Sequence, residues 1–334
     1  MLQRKVFVSF ILVIMTVSLI ACGNSNNSKK SQDGFLDFLT GDPDGTWAAI
    51  GTGISDKLNK NLDSVEISSK PGPGSVGNPE AVSNGNGDIG MSYNPFLIKA
   101  INGEEPYSKE MNNLKAVASL TPTVVHYIQN ADLDVNSLEE LIENETKMTF
   151  GIPPKGQGSN YIGGIIFGAI GIDDIENSVE SWGGSMYYGE MSNITDAWSN
   201  KQIDSFMTTL NVPGPAVEES MAANKGKIMN MGEELANTLI EEQGFEPYKI
   251  PKGTYNNQEE DIETVGLSII VFARDDVSDD VIYELTKTIY ENEDYLENIH
   301  SSFKEFDKDK MAENLSLDLH PGAAKFYKEI DLLD

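Results

Sequence analysis

LKAVASLTPTVVHYIQ, residues 114–129, and VGLSIIVF, residues 265–272, are the two stretches on which the fold turns. Both are rich in β-branched residues, which suit a buried pleated surface. The second is the most strand-like run in the chain, and the first is a long extended stretch broken at Pro122. Between them lie about 140 residues in which short apolar runs alternate with helical periods, the pattern of an α/β chain. Two long extended segments bracketing a middle α/β portion are what a chain needs to pass out of one lobe and back into it. The expected crossovers lie near residues 121–129 and 267–274, so that residues 34–122 and 272–334 form one lobe and 123–271 the other. Such two-lobed proteins close over a ligand by hinge motion.

Outward from this middle, Phe35–Thr40 (FLDFLT) reads as a strand that ends in the turn Gly41-Asp42-Pro43-Asp44-Gly45. Trp47, Ile50, Ile54 and Leu58 then recur at helical spacing. Val65–Ser69 and Asp88–Ser92 read as strands and Pro95–Ile101 as a short helix. Ser137 to Glu140 fits a capping box. Lys147–Ile152 is a strand running into the loop PPKGQGSN, after which Ile162, Ile165, Ile166, Ala169 and Ile170 share one helical face. Met191, Ile194 and Trp198 mark another helix, Ile203–Thr208 another strand, and from Ser278 the period turns helical again. Trp182 and Trp198 read as core.

The N-terminus carries a different signal. Arg4 and Lys5 precede an uncharged apolar run, Val6–Ile20, which ends in Leu19-Ile20-Ala21-Cys22. A basic start, a short apolar core and a small residue before the cut read as a secretory signal, residues 1–21. A spanning helix would need about 20 apolar residues, and this run is shorter. LIAC resembles the bacterial lipobox, in which the Cys is acylated, and Cys22 is the only cysteine in 334 residues. A diacylated Cys22 would hold the chain at the membrane. The polar stretch 22–33 would be its flexible tether.

Composition excludes several classes. One thiol leaves no internal disulfide and no cysteine metal cage. With 53 acidic against 24 basic residues the formal charge is −29. Arg4 and Arg274 are the only arginines, so nucleic acid is a poor partner. The histidines lack metal-ligand spacing such as HExxH, no GxSxG-type turn marks a nucleophile, and Asp42 with Asp44 lacks the rest of a calcium loop. No cofactor, metal or catalytic residue is expected. Two strand–loop–helix junctions, TGDPDGTW and GIPPKGQGSN, deliver backbone amides at a helix N-terminus, where a carboxylate or phosphate is favoured.

From Phe35 onward the chain resembles the TAXI family, the extracytoplasmic solute receptors of tripartite ATP-independent periplasmic (TRAP) transporters. The matching pieces are TGDPDGTWAAIGTGISDKLNK, NGNGDIGMSYN, LKAVASLTPTVVHYIQNAD, GIPPKGQGSN, NKQIDSFMTT with PGPAVEE, the stretch from Ile250 to Asn292, and LHPGAAKFYKE, in the family's order. The resemblance implies an α/β type II periplasmic-binding-protein fold, two lobes joined by two crossover strands. It places a ligand against Gly45, Thr46 and Trp47, against Tyr93 and Asn94, and against Gly156, Gln157, Gly158, Ser159 and Asn160. Thr208 and Thr209 would face the same cleft. It implies a small organic solute, a carboxylate or amino acid, delivered to a separate TRAP-type membrane permease. The chain departs from the family pattern in that Asp42 and Asp44 intrude on the first loop, Trp47 takes the aromatic place usually held by Tyr, and Tyr93-Asn94 replaces a Gln or acid. A wider, more aromatic pocket follows, and two carboxylates near one wall would repel an anion. A receptor for an ATP-driven permease or a sensor kinase, and a surface lipoprotein enzyme, are the competing readings.

Overall fold

A computed structural model describes residues 34–43, 46–62, 65–223 and 226–333. The signal segment, Cys22 and the tether lie outside the described residues, as do Asp44 and Gly45. The strands are β1 Phe35–Leu39, β2 Glu66–Lys70, β3 Ile89–Tyr93, β4 Leu114–Asn130, β5 Thr149–Ile152, β6 Ser185–Tyr188, β7 Ser205–Leu210, β8 Gly226–Ile228, β9 Glu246–Ile250 and β10 Ile262–Arg274.

They form one sheet in the order β2-β1-β3-β10-β4-β7-β5-β6, with β8 on β4 and β9 on β10. β1 lies parallel to β2 and β3, and β5 lies parallel to β6 and β7. Helices flank both groups, so each is a parallel α/β layer. The two long strands tie the groups together. Ile269–Ala273 of β10 pair antiparallel with β3, whereas Ile262–Gly266 pair with β9. Likewise Leu114–Val124 of β4 pair with β10, and Val124–Gln129 pair with β7. The changeover falls beside Pro122, which has no N–H to give the ladder and sits opposite a register shift at Ser268/Ile270.

Local expectations are met in part. Ser137 caps its helix, its hydroxyl accepting the Glu140 N–H at 3.0 Å. The Glu140 carboxylate, however, takes the Asn136 N–H at 2.8 Å, one residue upstream of the capping-box partner. The strand expected at Ile203–Thr208 is observed at Ser205–Leu210. Just before it, the Asp204 carboxylate accepts the Thr149 N–H at 2.7 Å.

Apolar packing falls into three clusters. One joins Phe38 and Ile67 to the helices Thr46–Leu58, Asp279–Glu291 and Pro321–Glu329. A second surrounds Trp198 and Phe206, and the Trp198 indole N–H donates to the Ser220 carbonyl at 2.8 Å. The third runs from Phe96 and Leu97 to Ile162, Ile166, Leu235 and Leu239, so it spans both groups of strands. The Phe96 and Tyr161 rings meet edge to face at 6.3 Å. Trp182 is half-buried against this third cluster. Among the described residues no helix is long and apolar enough to cross a membrane.

Candidate functional site

The C-terminal ends of the parallel strands in both groups open on one cavity of about 580 Å³. This is where open α/β sheets place ligands, because each strand end turns into a loop and then a helix N-terminus. From the first group come Gly41, Asp42, Thr46 and Trp47 after β1, Gly72 to Val76 after β2, and Tyr93 at the end of β3. From the second come Gly156 to Ser159 after β5, Glu190 after β6, and Thr209 on β7.

The helix Thr46–Leu58 puts Thr46 and Trp47 in its first turn. The His300 ring accepts the Ser302 N–H at Nδ1, so its Nε2 carries the proton and donates to the Thr46 hydroxyl at 3.3 Å. The Thr46 proton is left for another acceptor. Trp47 and Tyr93 meet edge to face at 5.2 Å and form an aromatic wall. Burial, opposed by a hydrogen bond with Thr123, pushes the Tyr93 phenol up to about 12, which keeps it neutral.

Across the cavity, Gly156 has φ +98°, a left-handed conformation that favours glycine, and Gln157 then precedes the helix Gly158–Gly168. The Gln157 side chain donates to both oxygens of Glu190, at 2.8 and 2.9 Å, instead of capping its own helix. Ser159 and Thr209 hydroxyls lie 2.8 Å apart. The helix Gly74–Ser83 is also without a side-chain cap. Neither it nor Gly158–Gly168 has an acidic residue in its first turn, so both N-terminal turns keep amide donors facing the cavity.

Three expected site residues do not line this cavity. Asn94 is 4% exposed, donates to the Asn314 carbonyl and accepts the Ser316 N–H at 3.2 Å, tying the helix start to the C-terminal segment. Asn160 donates to the Pro153 carbonyl at 2.9 Å and closes its own loop. Thr208 points to the other side of β7 from Thr209, as neighbours on a strand must, and is 3% exposed. Gly45 lies outside the described residues. Lys155 turns away from the site to Glu176 at 2.7 Å, a hydrogen bond that raises its pKa.

Sequence reading missed Gly72–Val76 and Glu190. Both follow short strands and start helices, as the two recognised junctions do. PGPG at 71–74 was the available signal. A Cβ at Gly72 would come within 2.3 Å of Asn78 Oδ1 and 2.9 Å of the Thr40 carbonyl, so only glycine allows this loop to lie against the end of β1. The helix behind it was hidden because GSVGNPEAVS, with two glycines and an internal proline, has no apolar stripe. Among the described residues no group of three His, Cys, Asp or Glu could hold a metal ion.

Solved structures of similar fold include a TctC solute binding protein from Polaromonas, 12% identical with a TM-score of 0.51, over 90% of this chain and 98% of that one. XAC2383 from Xanthomonas citri bound to ATP is 10% identical with a TM-score of 0.50, over 90% and 99%. The periplasmic binding protein BugD is 14% identical with a TM-score of 0.47, over 89% and 94%. The likeness to the first two is one of fold, a helix-flanked sheet like that of the TctC solute binding protein. Matched over residues 38–330, from within β1 to the end of the last helix, the chain belongs to the NMT1-like family.

Proposed function

We propose that the chain is an extracytoplasmic solute receptor that captures a small organic solute between two lobes and releases it, unchanged, to a TRAP-type membrane permease. The lobes are residues 34–122 with 272–334, and residues 123–271, and Cys22 carries the lipid that holds the chain at the membrane. One observation supports this reading above the rest: strand ends from both groups, which the sheet joins through the long strands β4 and β10, converge on a single cavity. A solute that touches Trp47 and Tyr93 on one side and Gln157 and Ser159 on the other binds only when the lobes are together. It therefore shifts the population toward the closed form. That form is the one a permease would recognise.

The test is a thermal-shift screen of the purified chain against organic acids, amino acids and aromatic solutes. A solute at a hundred times its Kd stabilises by about 2.7 kcal/mol. Calorimetry on Trp47→Ala and Ser159→Ala then locates the site. Ser159→Ala should cost about 1 kcal/mol, and Trp47→Ala more, because a large apolar wall goes with it. Unchanged affinity in both variants, or recovery of a chemically altered solute, would overturn the reading.

A further inference from the structure

We infer that the solute taken by this cavity carries a cationic nitrogen, which the carboxylates of Asp42 and Glu190 bind beside the Trp47–Tyr93 wall. The inference rests on the reading of the cavity as a solute site and names the class of solute. Asp42 and Glu190 are the only formally charged side chains among the described lining residues. They come from different groups of strands, so a ligand between those groups meets a carboxylate from each. Neither has an ion-pair partner among the described residues. Glu190 is held by a neutral amide, the Gln157 side chain, which orients both oxygens without cancelling the charge.

The basic groups that could have reversed this balance are engaged elsewhere. Lys155, in the same loop as Gln157, is paired with Glu176. The Arg274 guanidinium is bound by Asp88 at 2.8 Å, Asp276 at 2.5 Å and the Gly87 carbonyl at 2.7 Å. A dicarboxylate would therefore enter against two like charges, with no cationic side chain among the described lining residues to meet it. An ammonium group would find two carboxylates, and aromatic rings attract cations as well. The net charge of −29 draws cations toward the chain over a longer range. The amides at the helix N-termini and the Thr46 hydroxyl supply donors, so the solute also carries acceptor atoms. An amino acid or an amine with a polar end fits this arrangement, and a plain organic acid does not.

Calorimetry with matched probes tests the assignment. L-leucine is compared with 4-methyl-2-oxopentanoate, L-glutamate with 2-oxoglutarate, and putrescine with succinate, each with the purified chain. In every pair that binds, the nitrogen-bearing member is expected to bind more tightly. Asp42→Asn and Glu190→Gln should each weaken it by about ten- to a hundredfold, as for a lost hydrogen bond to a charged group. Both variants should bring the two members of the pair toward equal affinity. Tighter binding of the oxo acid or succinate, or a pair ratio that neither variant changes, overturns the inference and leaves the receptor reading standing. No binding by any probe at millimolar concentration counts against both.

Discussion

Gly158→Val tests whether the two sides of the cavity separate. Gly158 opens the helix Gly158–Gly168, and an ideal Cβ there would lie 2.7 Å from the Ser75 hydroxyl on the opposite wall. That is about 0.7 Å short of the 3.4 Å at which ordinary van der Waals contact begins. Alanine asks little, since Ser75 Oγ turns away by one torsion, and its effect should stay within about 0.5 kcal/mol. Valine adds two γ carbons beyond that point, which one serine rotation does not clear. Overpacking of this kind costs about 1–3 kcal/mol. Because Ser75 and Gly158 belong to different proposed lobes, the cost falls on the closed form alone. Affinity for a solute found in the screen should then drop by about five- to a hundred-and-fiftyfold. The unliganded chain should unfold in urea as the parent does. Ser75→Gly, combined with Gly158→Val, should return much of the affinity, and the double-mutant cycle measures that coupling. An unchanged Kd together with reduced stability would refute the reasoning, because the clash would then be carried by the fold and not by closure.

Three further outcomes are expected. His126 is fully buried on β4, with its Nδ1–H given to the Val124 carbonyl at 2.9 Å and its Nε2 accepting the Tyr255 hydroxyl at 2.8 Å. Burial pushes its pKa down from 6.5 to about 4, so the unfolded chain takes up the proton first as pH falls. Its contribution is complete above pH 6.5 and is lost between 6.5 and 4, about 2 kcal/mol of it by pH 5; urea unfolding of the parent and of His126→Gln at two pH values checks this. Arg274→Met strands Asp88, whose carboxylate also accepts the Asp37 N–H at 2.9 Å, and should cost about 3–5 kcal/mol in denaturant midpoints. Arg274→Lys should recover only part, since an ammonium cannot reach Asp88, Asp276 and Gly87 in the same planar fork. Cys22→Ala should release the chain from membranes, and retention after a high-salt wash would exclude a lipid anchor at that residue.

Much of the fold was legible because its signals are local. The β-branched runs of β4 and β10, the apolar period after Thr46, the serine before Leu138 and the glycines at 156 and 158 each follow from a few neighbouring residues. The same holds for the exclusion of an internal disulfide, which needed only a count of cysteines. Other elements gave no periodic sign. The helix Gly74–Ser83 has no stripe, and β6 is only four residues long, so the junctions that carry Ser75 and Glu190 went unread.

By itself, then, the sequence determined an α/β chain with two long connecting strands, glycine-rich junctions opening onto helices, and a strongly acidic surface. Tertiary structure alone decided which junctions meet. Pairing of Thr208 with His126 and of Thr209 with Val125 sends one threonine into the core and its neighbour into the cavity, a choice that a shift of one residue would reverse. Asn94 and Asn160 have the chemistry of ligand contacts, yet spend it on the Asn314 and Pro153 carbonyls, because those acceptors are brought within reach only by folding. Asp42 and Glu190 are 148 positions apart in the chain. No local rule places two such carboxylates at one cavity, since their meeting depends on strand order across the whole sheet.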